Sequence, residues 1–135
     1  MITRRSLLTT IASVTSIAVA APVLAKAPGF LRGAGDIRKI RFRNFNTGEF
    51  INSVYWIEGS YVSDALKEID YFMRDWRQNK VRSYDPANID ILSATQGLLD
   101  SSEPFYLLSG YRTRKTNNLL SRMTDGVAQN SYHVK

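Results

Sequence analysis

The alternation of apolar and polar residues predicts a β-hairpin at the start of the globular part of the chain. In the segment from Ile37 to Phe45, the chain alternates around Ile40 and Phe42, with arginines between the apolar residues, as expected for a half-buried strand. The segment 46–49 reads Asn-Thr-Gly-Glu, and asparagine and glycine tolerate the backbone conformations of tight turns. A second strand is predicted over Phe50–Ile57, which is rich in β-branched and aromatic residues.

Further along, apolar residues recur every three or four positions and predict helices. The first helix is predicted from Ser63 to about Gln78. Its apolar stripe faces the core and consists of Ala65, Leu66, Ile69, Phe72, Met73 and Trp76. A second helix is predicted to begin at Asp85-Pro86, where an N-cap residue precedes a proline suited to the first helical turn. It continues toward Asp100.

The last part of the pattern predicts one more strand and one more helix. Phe105–Leu108 is a short apolar run bounded by turn residues, which is typical of a buried strand. The third helix is predicted over about 115–122, with Leu119 and Leu120 facing inward. The predicted fold class is therefore α+β, a small antiparallel sheet with packed helices.

The first 25 residues have the composition of an export signal. The adjacent Arg4 and Arg5 precede a weakly apolar run from Leu7 to Ala21, and small residues around Ala25 suit a signal peptidase. The paired arginines favour the twin-arginine route, with the twin-arginine export machinery as partner and the periplasm as destination. The run is about fifteen residues long, short of the roughly 20 needed to cross a bilayer, so no retained membrane span is expected.

The expected organisation is a signal peptide over 1–25, a glycine-rich linker over 26–36, and one domain over 37–135. The absence of cysteine excludes disulfides and thiolate metal ligands. The net charge is +6, and much of it falls within residues 32–43. This cluster indicates either a polyanionic partner such as the cell wall or, as the preferred interpretation, a solvated edge strand protected by charge. Because no aromatic residues are interleaved for base stacking, no nucleic-acid partner is expected.

Candidate chemistry is concentrated in two segments, Ser109-Gly110-Tyr111-Arg112 and Ser131-Tyr132-His133. The glycine permits a sharp turn after the predicted strand, which directs Arg112 back over the sheet. A guanidinium fork there suits a substrate carboxylate or a developing oxyanion. The alternative is a surface arginine paired with Glu103 or Asp125, and the motif alone does not separate the two interpretations.

The other polar residues are weaker candidates when they are taken alone. His133 is the single histidine of the chain, and a lone histidine is more often a hydrogen-bonded surface residue than a metal ligand. Ser109 is disfavoured as a nucleophile because no serine lies in a nucleophile-elbow pattern. Asn117 and Asn118 are predicted to be helix residues with exposed amides.

Read together, the segments SGYRTRKTNNLL (109–120) and SRMTDGVAQNSYH (121–133) resemble the zinc peptidases related to D-alanyl-D-alanine carboxypeptidases, in their murein endopeptidase K branch. The resemblance implies a hydrolase of the metallopeptidase type that cuts the peptide cross-links of peptidoglycan during cell wall biogenesis or degradation. It implies that Arg112 is catalytic and that His133 is the first zinc ligand. It also favours substrate contacts by Ser109, Tyr111 and Asn117.

The family pattern also implies ligands that would follow residue 135, namely an aspartate and a second histidine, together with a general base. On that expectation, residues 37–135 are the amino-terminal part of a murein peptidase domain, whose sheet is incomplete at the carboxyl end. Zinc would then be held weakly by this chain alone, because a catalytic zinc needs about three protein ligands. The alternative hypotheses are a non-catalytic remnant that binds the cell wall and an inactive truncated product.

Overall fold

The computed structural model describes residues 36–134, so the predicted signal peptide with Arg4 and Arg5, and the predicted linker up to residue 35, lie outside the described residues. The elements are, in chain order, β1 (Ile37–Asn44), β2 (Phe50–Ile57), β3 (Ser60–Tyr61), α1 (Ser63–Phe72), α2 (Pro86–Leu98), β4 (Phe105–Leu107), α3 (Arg114–Met123) and a short 3₁₀ helix (Tyr132–Val134). Between residues 36 and 134, no helix combines the length and the apolar character that crossing a membrane requires.

The strands form a four-stranded sheet in the order β3-β2-β1-β4. β1 and β2 pair antiparallel, as the predicted hairpin requires, whereas β4 lies parallel to β1. The α+β class is confirmed, and the sheet is mixed rather than wholly antiparallel. β1 lies between β2 and β4, but β4 pairs only with Phe42–Asn44 of β1. The edge-strand interpretation of the basic residues is therefore wrong at Arg43, where β4 covers β1, whereas Lys39 is exposed on the part of β1 with which β4 does not pair.

The core lies between one face of the sheet and the helices α1 and α2. Alternate residues of β1 point into it, and Ile40 and Phe42 are buried there. The Phe42 ring stacks on Phe72 of α1 at a centroid distance of 5.9 Å and lies 6.1 Å from Phe105 of β4. The predicted apolar stripe of α1 is confirmed except at its end, where Trp76 is 38% exposed.

Helix α1 ends at Phe72, so its predicted continuation to Gln78 is wrong. The backbone instead closes a tight loop through an isolated β-bridge between Asp75 and Lys80. The Asp75 carboxylate accepts hydrogen bonds from the backbone N–H groups of Arg77 (3.1 Å) and Gln78 (3.3 Å). An aspartate that binds nearby backbone groups in this way competes with the helix. The start of α2, by contrast, is as predicted, with the Asp85 side chain capping the N–H of Ala87.

A buried acid in α2 holds that helix on the sheet. Asp90 is 3% exposed, and its carboxylate accepts hydrogen bonds from the Arg38 guanidinium (2.8 Å) and from the hydroxyls of Tyr55 (2.9 Å) and Tyr61 (2.6 Å). The Arg38 guanidinium also lies 4.4 Å from the centroid of the Trp56 ring. One member of the predicted basic cluster is therefore an internal ion-pair partner, available neither to a polyanion nor to solvent.

Both tyrosines remain donors to Asp90 at neutral pH. Burial raises the pKa of Tyr55. Burial and, as a smaller contribution, the hydrogen bond to Asp90 raise the pKa of Tyr61 to about 12. A protonated hydroxyl can donate a hydrogen bond to a carboxylate. The buried charge of Asp90 is therefore compensated by hydrogen bonds. The network therefore joins strands β1, β2 and β3 to helix α2.

Two predictions about the last third of the chain are wrong. The predicted buried strand is an edge strand, in which Tyr106 is 59% exposed and Leu108, just after it, is 68% exposed. In α3, Leu119 is 51% exposed, and the buried residues are instead the polar Thr116 and Asn117. Helix α3 packs through hydrogen bonds to neighbouring loops. The positions of its leucines therefore do not indicate which side of the helix is buried.

Candidate functional site

The turn that follows β4 is held against the end of α1. The N–H of Tyr111 donates to the Met73 carbonyl at 2.9 Å. A Cβ atom on Gly110 would lie 2.3 Å from that same carbonyl oxygen, closer than real Cβ contacts. Glycine is therefore required at position 110 by the close approach of another backbone segment.

The turn is also bonded to the segment Ser131-Tyr132-His133. The backbone N–H of Arg112 donates to the His133 carbonyl at 2.7 Å. The Arg112 Nη2 donates to the Ser131 Oγ at 3.2 Å, and the His133 Nδ1 lies 3.0 Å from the Gly110 carbonyl oxygen. The structure thus brings together the two segments in which the sequence places the candidate chemistry.

Arg112 is half-buried, and its orientation is set by a serine. Within residues 36–134 its side chain bonds to Ser131 and makes no ion pair with Glu103 or Asp125. The Nε atom is buried and has no hydrogen-bond partner in this part of the chain. The guanidinium fork therefore keeps donors that no described residue uses. An unpartnered buried Nε also occurs in Arg38 and Arg41, so it does not by itself mark a ligand site.

His133 is exposed and oriented by its Nδ1 contact to the Gly110 carbonyl. When Nδ1 carries the proton it donates to that oxygen, and Nε2 keeps a free lone pair. Metal-ligating histidines are typically oriented by such a second hydrogen bond. His133 thus fits a single zinc ligand. Among residues 36–134, however, no three His, Cys, Asp or Glu side chains cluster closely enough to hold a metal ion, so these residues do not complete a zinc site.

Asn117 is fully buried, so the prediction that its amide is exposed is wrong. Its Nδ2 donates to the carbonyls of Ala128 (3.0 Å) and Gln129 (3.2 Å). These residues immediately precede the segment that carries Ser131. Asn117 therefore anchors the approach to that segment, which favours the structural role among those that the sequence left open.

Asp75 is a site-forming residue that sequence reasoning missed, and Ser131 lay in a predicted segment without a role of its own. Asp75 is 2% exposed, and its carboxylate accepts a hydrogen bond from the backbone N–H of Thr113 at 2.8 Å. It thereby ties the loop after α1 to the N-terminus of α3, just beyond Arg112. The only available signal was an aspartate interrupting an otherwise apolar helical stripe.

Hydrogen bonding keeps Asp75 ionised in the folded protein. Burial acts to raise the pKa of this carboxyl, but the Thr116 side chain and the Thr113 backbone N–H lower it, and the net pKa lies below its usual value. Because the folded-state pKa is depressed, this group stabilises the fold above the unfolded-state pKa. That stability is lost as the pH falls through the folded-state pKa.

We expect Asp75→Asn to lower the free energy of unfolding at pH 7 by about 1–3 kcal/mol, since charge-assisted hydrogen bonds are lost in a buried site. The difference between wild type and variant should shrink as the pH is lowered from about 5 toward 2. Urea denaturation over this pH range measures both effects. A difference that stays constant down to pH 2 would contradict the assigned role of the carboxylate.

Gly110→Ala should lower the free energy of unfolding by about 1–3 kcal/mol, because the added methyl group overpacks against the Met73 carbonyl. It should also move the Gly110 carbonyl away from His133. A matched control is Gly97→Ala in α2, where a Cβ meets nothing within 4 Å and alanine stabilises a helix interior by about 0.5–1 kcal/mol. Urea denaturation of both variants checks the prediction, and equal effects of the two substitutions would refute it.

A cleft of about 470 Å³ lies beside this turn. Ser109, Tyr111 and His133 line it, together with residues of the segment that leads into α2. Arg82 of that segment donates to the Val134 carbonyl at 3.2 Å, and its guanidinium lies 5.7 Å from the centroid of the Tyr111 ring. Of the three predicted substrate-binding residues, the structure therefore places Ser109 and Tyr111 at a cleft and Asn117 in the interior.

The sequence that forms this arrangement matches a known class of cell wall peptidases. A family model described as peptidoglycan L,D-endopeptidase MepK, within the M15 peptidases, matches residues 32–135, and the chain belongs to this family. The resemblance inferred from residues 109–133 is confirmed.

Individual relatives agree with this membership. The chain is 41% identical over 98 residues to the peptidoglycan L,D-endopeptidase MepK of Escherichia coli (strain K12), an alignment that covers 73% of the chain and 54% of the relative. It is 36% identical over 101 residues to the probable peptidoglycan L,D-endopeptidase MepK of Haemophilus influenzae, with 73% and 53% covered. The chain thus spans about half the length of the curated relatives it matches. No solved structure matches it.

Proposed function

We propose that the protein acts in the hydrolysis of peptide cross-links in peptidoglycan, and that residues 109–112 and 131–133 form part of its active site. The observation that carries this proposal is the 2.7 Å hydrogen bond from the Arg112 N–H to the His133 carbonyl. It joins the backbone segments that carry the Arg112 guanidinium and the His133 imidazole. His133 lines the cleft, and Arg112 lines a small adjoining pocket that shares Ser109, Gly110 and Tyr111 with it. Membership in the family of peptidoglycan L,D-endopeptidases supports the same reaction.

Arg112 is the proposed electrostatic catalyst. Peptide hydrolysis passes through a tetrahedral intermediate whose oxygen carries negative charge, and donors held in place before the reaction stabilise that charge. The contact to Ser131 orients the guanidinium, and partial burial strengthens its interaction with an anion. Uncommitted donors on the fork remain for the substrate.

His133 is the proposed first zinc ligand, through Nε2. Zinc, when bound, polarises a carbonyl oxygen and lowers the pKa of a bound water to about 7. The chain's contribution is to hold the imidazole ring by its contact to the Gly110 carbonyl. Ser109 and Tyr111 line the cleft and are the proposed contacts to the peptide on either side of the reacting bond.

We further propose that the protein works in the periplasm after export by the twin-arginine machinery. The composition of residues 1–25, with the adjacent Arg4 and Arg5, supports this. Mass spectrometry of protein recovered from the periplasm should find a chain that starts after Ala25. Periplasmic protein that still begins at Met1 would contradict the proposed cleavage.

Because residues 36–134 do not complete a zinc site, the hydrolytic proposal is tested in a chimera that joins residues 36–135 to the remaining part of the Escherichia coli (strain K12) relative. The purified chimera and Zn²⁺ are incubated with isolated, cross-linked peptidoglycan, and the released muropeptides are separated by liquid chromatography and mass spectrometry. We expect the amount of cross-linked dimers to decrease and the amount of monomers to increase. One water molecule is added for each bond that is hydrolysed, so the products together exceed the dimer by the mass of one water. His133→Ala should give no such change. Release of saccharide fragments, or an unchanged dimer content with the unsubstituted chimera, would overturn the proposed reaction.

A further inference from the structure

We propose that the outer sheet face of the protein docks on an anionic phospholipid bilayer. This face is formed by the outward-pointing residues of three strands, which are Ile37, Lys39, Arg41 and Arg43 of β1, Phe50, Asn52, Val54 and Ile57 of β2, and Tyr106 of β4. The inference is independent of the proposed hydrolysis, because it uses none of the residues assigned to that reaction.

The strand pairing places these side chains on one side of the sheet. Buried and accessible residues alternate along β1, and the buried Ile40 and Phe42 face the core beneath α1 and α2. Side chains that lie opposite each other on paired strands share a face. Arg43 is therefore flanked by Phe50 on β2 and by Tyr106 on β4. All residues of the outer sheet face are exposed except Arg41, which is half-buried.

The charges of the outer sheet face are all positive. Lys39, Arg41 and Arg43 follow one another along β1 at intervals of about 7 Å, and none of them makes an ion pair within residues 36–134. None of the twelve acids of the chain belongs to this face. Asp100 lines a groove with Lys39 and Arg41 but is paired with neither. The face therefore attracts a partner of negative charge.

Large apolar side chains flank this basic row. Phe50 is 49% exposed, Val54 is 40% exposed and Tyr106 is 59% exposed. The Arg43 guanidinium lies 5.8 Å from the centroid of the Phe50 ring. The solvated face of an antiparallel sheet is ordinarily polar, and exposed apolar patches rimmed by polar residues mark interaction sites. The partner is therefore one that is anionic and also accepts apolar side chains.

An anionic bilayer combines these two properties. Its headgroups attract lysine and arginine, and aromatic rings insert at the level of the headgroups. A second copy of the chain is disfavoured, because two such faces would bring two rows of positive charge together. A soluble linear polyanion would pair with the basic row and leave Phe50, Val54 and Tyr106 in water.

The charge contribution is tested by sedimenting the 135-residue protein with vesicles of phosphatidylethanolamine and phosphatidylglycerol, and with neutral vesicles of phosphatidylcholine. We expect binding to the anionic vesicles only, weakened by added salt. Lys39→Gln combined with Arg43→Gln should lower the affinity about 25-fold, since each basic residue near the surface contributes about fivefold. Lys115→Gln combined with Arg122→Gln, on exposed residues of α3, is the matched control and should change the affinity less than about twofold.

Phe50→Ser tests the apolar contribution. It should weaken binding to the anionic vesicles by about five- to tenfold, because half of the ring is available for insertion, and it should leave binding to soluble polyphosphate unchanged. Unchanged vesicle affinity in Phe50→Ser, or tighter binding of the wild type to polyphosphate than to vesicles, would identify a soluble polyanion as the ligand and overturn the proposal.

A fluorescent probe locates the contact on the protein. Because the chain has no cysteine, Val54→Cys and Tyr71→Cys each allow one polarity-sensitive fluorophore to be attached, the first on the outer sheet face and the second on α1 at a similarly exposed position. With anionic vesicles, the emission of the probe at position 54 should shift to the blue and that of the probe at position 71 should not. Both variants share residues 1–25, so binding through that segment does not produce this difference. Equal shifts at the two positions, no shift at either, or equal losses of affinity in the two glutamine double variants would overturn the proposal.

Discussion

Arg112→Lys should lower kcat/KM for cross-link hydrolysis by about 100- to 1000-fold, the loss expected when one preorganised oxyanion donor is removed. Lysine keeps the positive charge but replaces the planar fork by a single ammonium group. It therefore loses the fixed geometry that the contact to Ser131 gives the guanidinium. The rate is measured on a purified cross-linked muropeptide in the presence of Zn²⁺, with the substitution made in a chimera that carries the remaining part of a full-length relative, because residues 36–134 do not complete a zinc site.

Two comparisons make this result specific. The free energy of unfolding of Arg112→Lys should change little, since the backbone N–H that bonds to His133 is retained. Arg114→Lys, on an exposed residue at the start of α3, is the matched control and should keep wild-type activity. Full activity of Arg112→Lys would remove Arg112 from the catalytic site.

Asp90→Ala should produce the largest loss of stability, about 3–5 kcal/mol. Its removal leaves the guanidinium of Arg38 buried without a counter-charge, and breaking a buried pair from one side costs about this much. The hydroxyl of Tyr55 also loses its acceptor. Since the free energy of unfolding of a small domain is only about 5–15 kcal/mol, this loss would be a large part of it. Chemical denaturation followed by circular dichroism measures the loss.

A double replacement distinguishes the unpaired charge from simple loss of packing. Arg38→Met combined with Asp90→Leu removes both charges and should recover part of the stability lost in Asp90→Ala. Asp64→Ala, which removes a fully exposed acid that pairs only with Lys67, should leave the unfolding transition unchanged. A loss below about 1 kcal/mol in Asp90→Ala would refute the structural role assigned to the network.

Local sequence signals were enough to predict the parts of the fold that depend on neighbouring residues. The hairpin of β1 and β2 followed from the alternation around Ile40 and Phe42, from the β-branched and aromatic residues of Phe50–Ile57, and from the turn residues at 46–49. The start of α2 followed from Asp85-Pro86, because an N-cap and a first-turn proline act within a few residues. The two candidate segments were found for the same reason, since each is a short contiguous motif.

The remaining features depend on partners far apart in sequence. Arg38 pairs with Asp90, 52 residues away, so a strand arginine that is patterned like a surface residue is in fact internal. The buried side of α3 is polar because Asn117 bonds to loop carbonyls 11 and 12 residues further on. Hydrophobic periodicity gives no sign of a helix that packs through an amide.

The end of α1 shows the same limitation. The apolar stripe continued to Trp76, and propensity alone gave no reason to stop the helix at Phe72. The decisive group was the Asp75 carboxylate, which binds the backbone of its own loop and of Thr113 across the fold. Hydrogen bonds of Asp75 therefore favour the end of the helix at Phe72. The apolar pattern was nevertheless correct for the residues that lie in the core.

The proposed positioning of Arg112 for catalysis by the Ser131-Tyr132-His133 segment is tested most directly by a double-mutant cycle. Ser131→Ala removes the oxygen that holds the guanidinium, and it should lower kcat/KM about tenfold in the wild-type background, the cost of a hydrogen bond to a charged group. In the Arg112→Lys background the same substitution should change kcat/KM less than about twofold, because coupled residues are not additive. Equal losses in the two backgrounds would show that Ser131 and Arg112 act independently and would contradict the account.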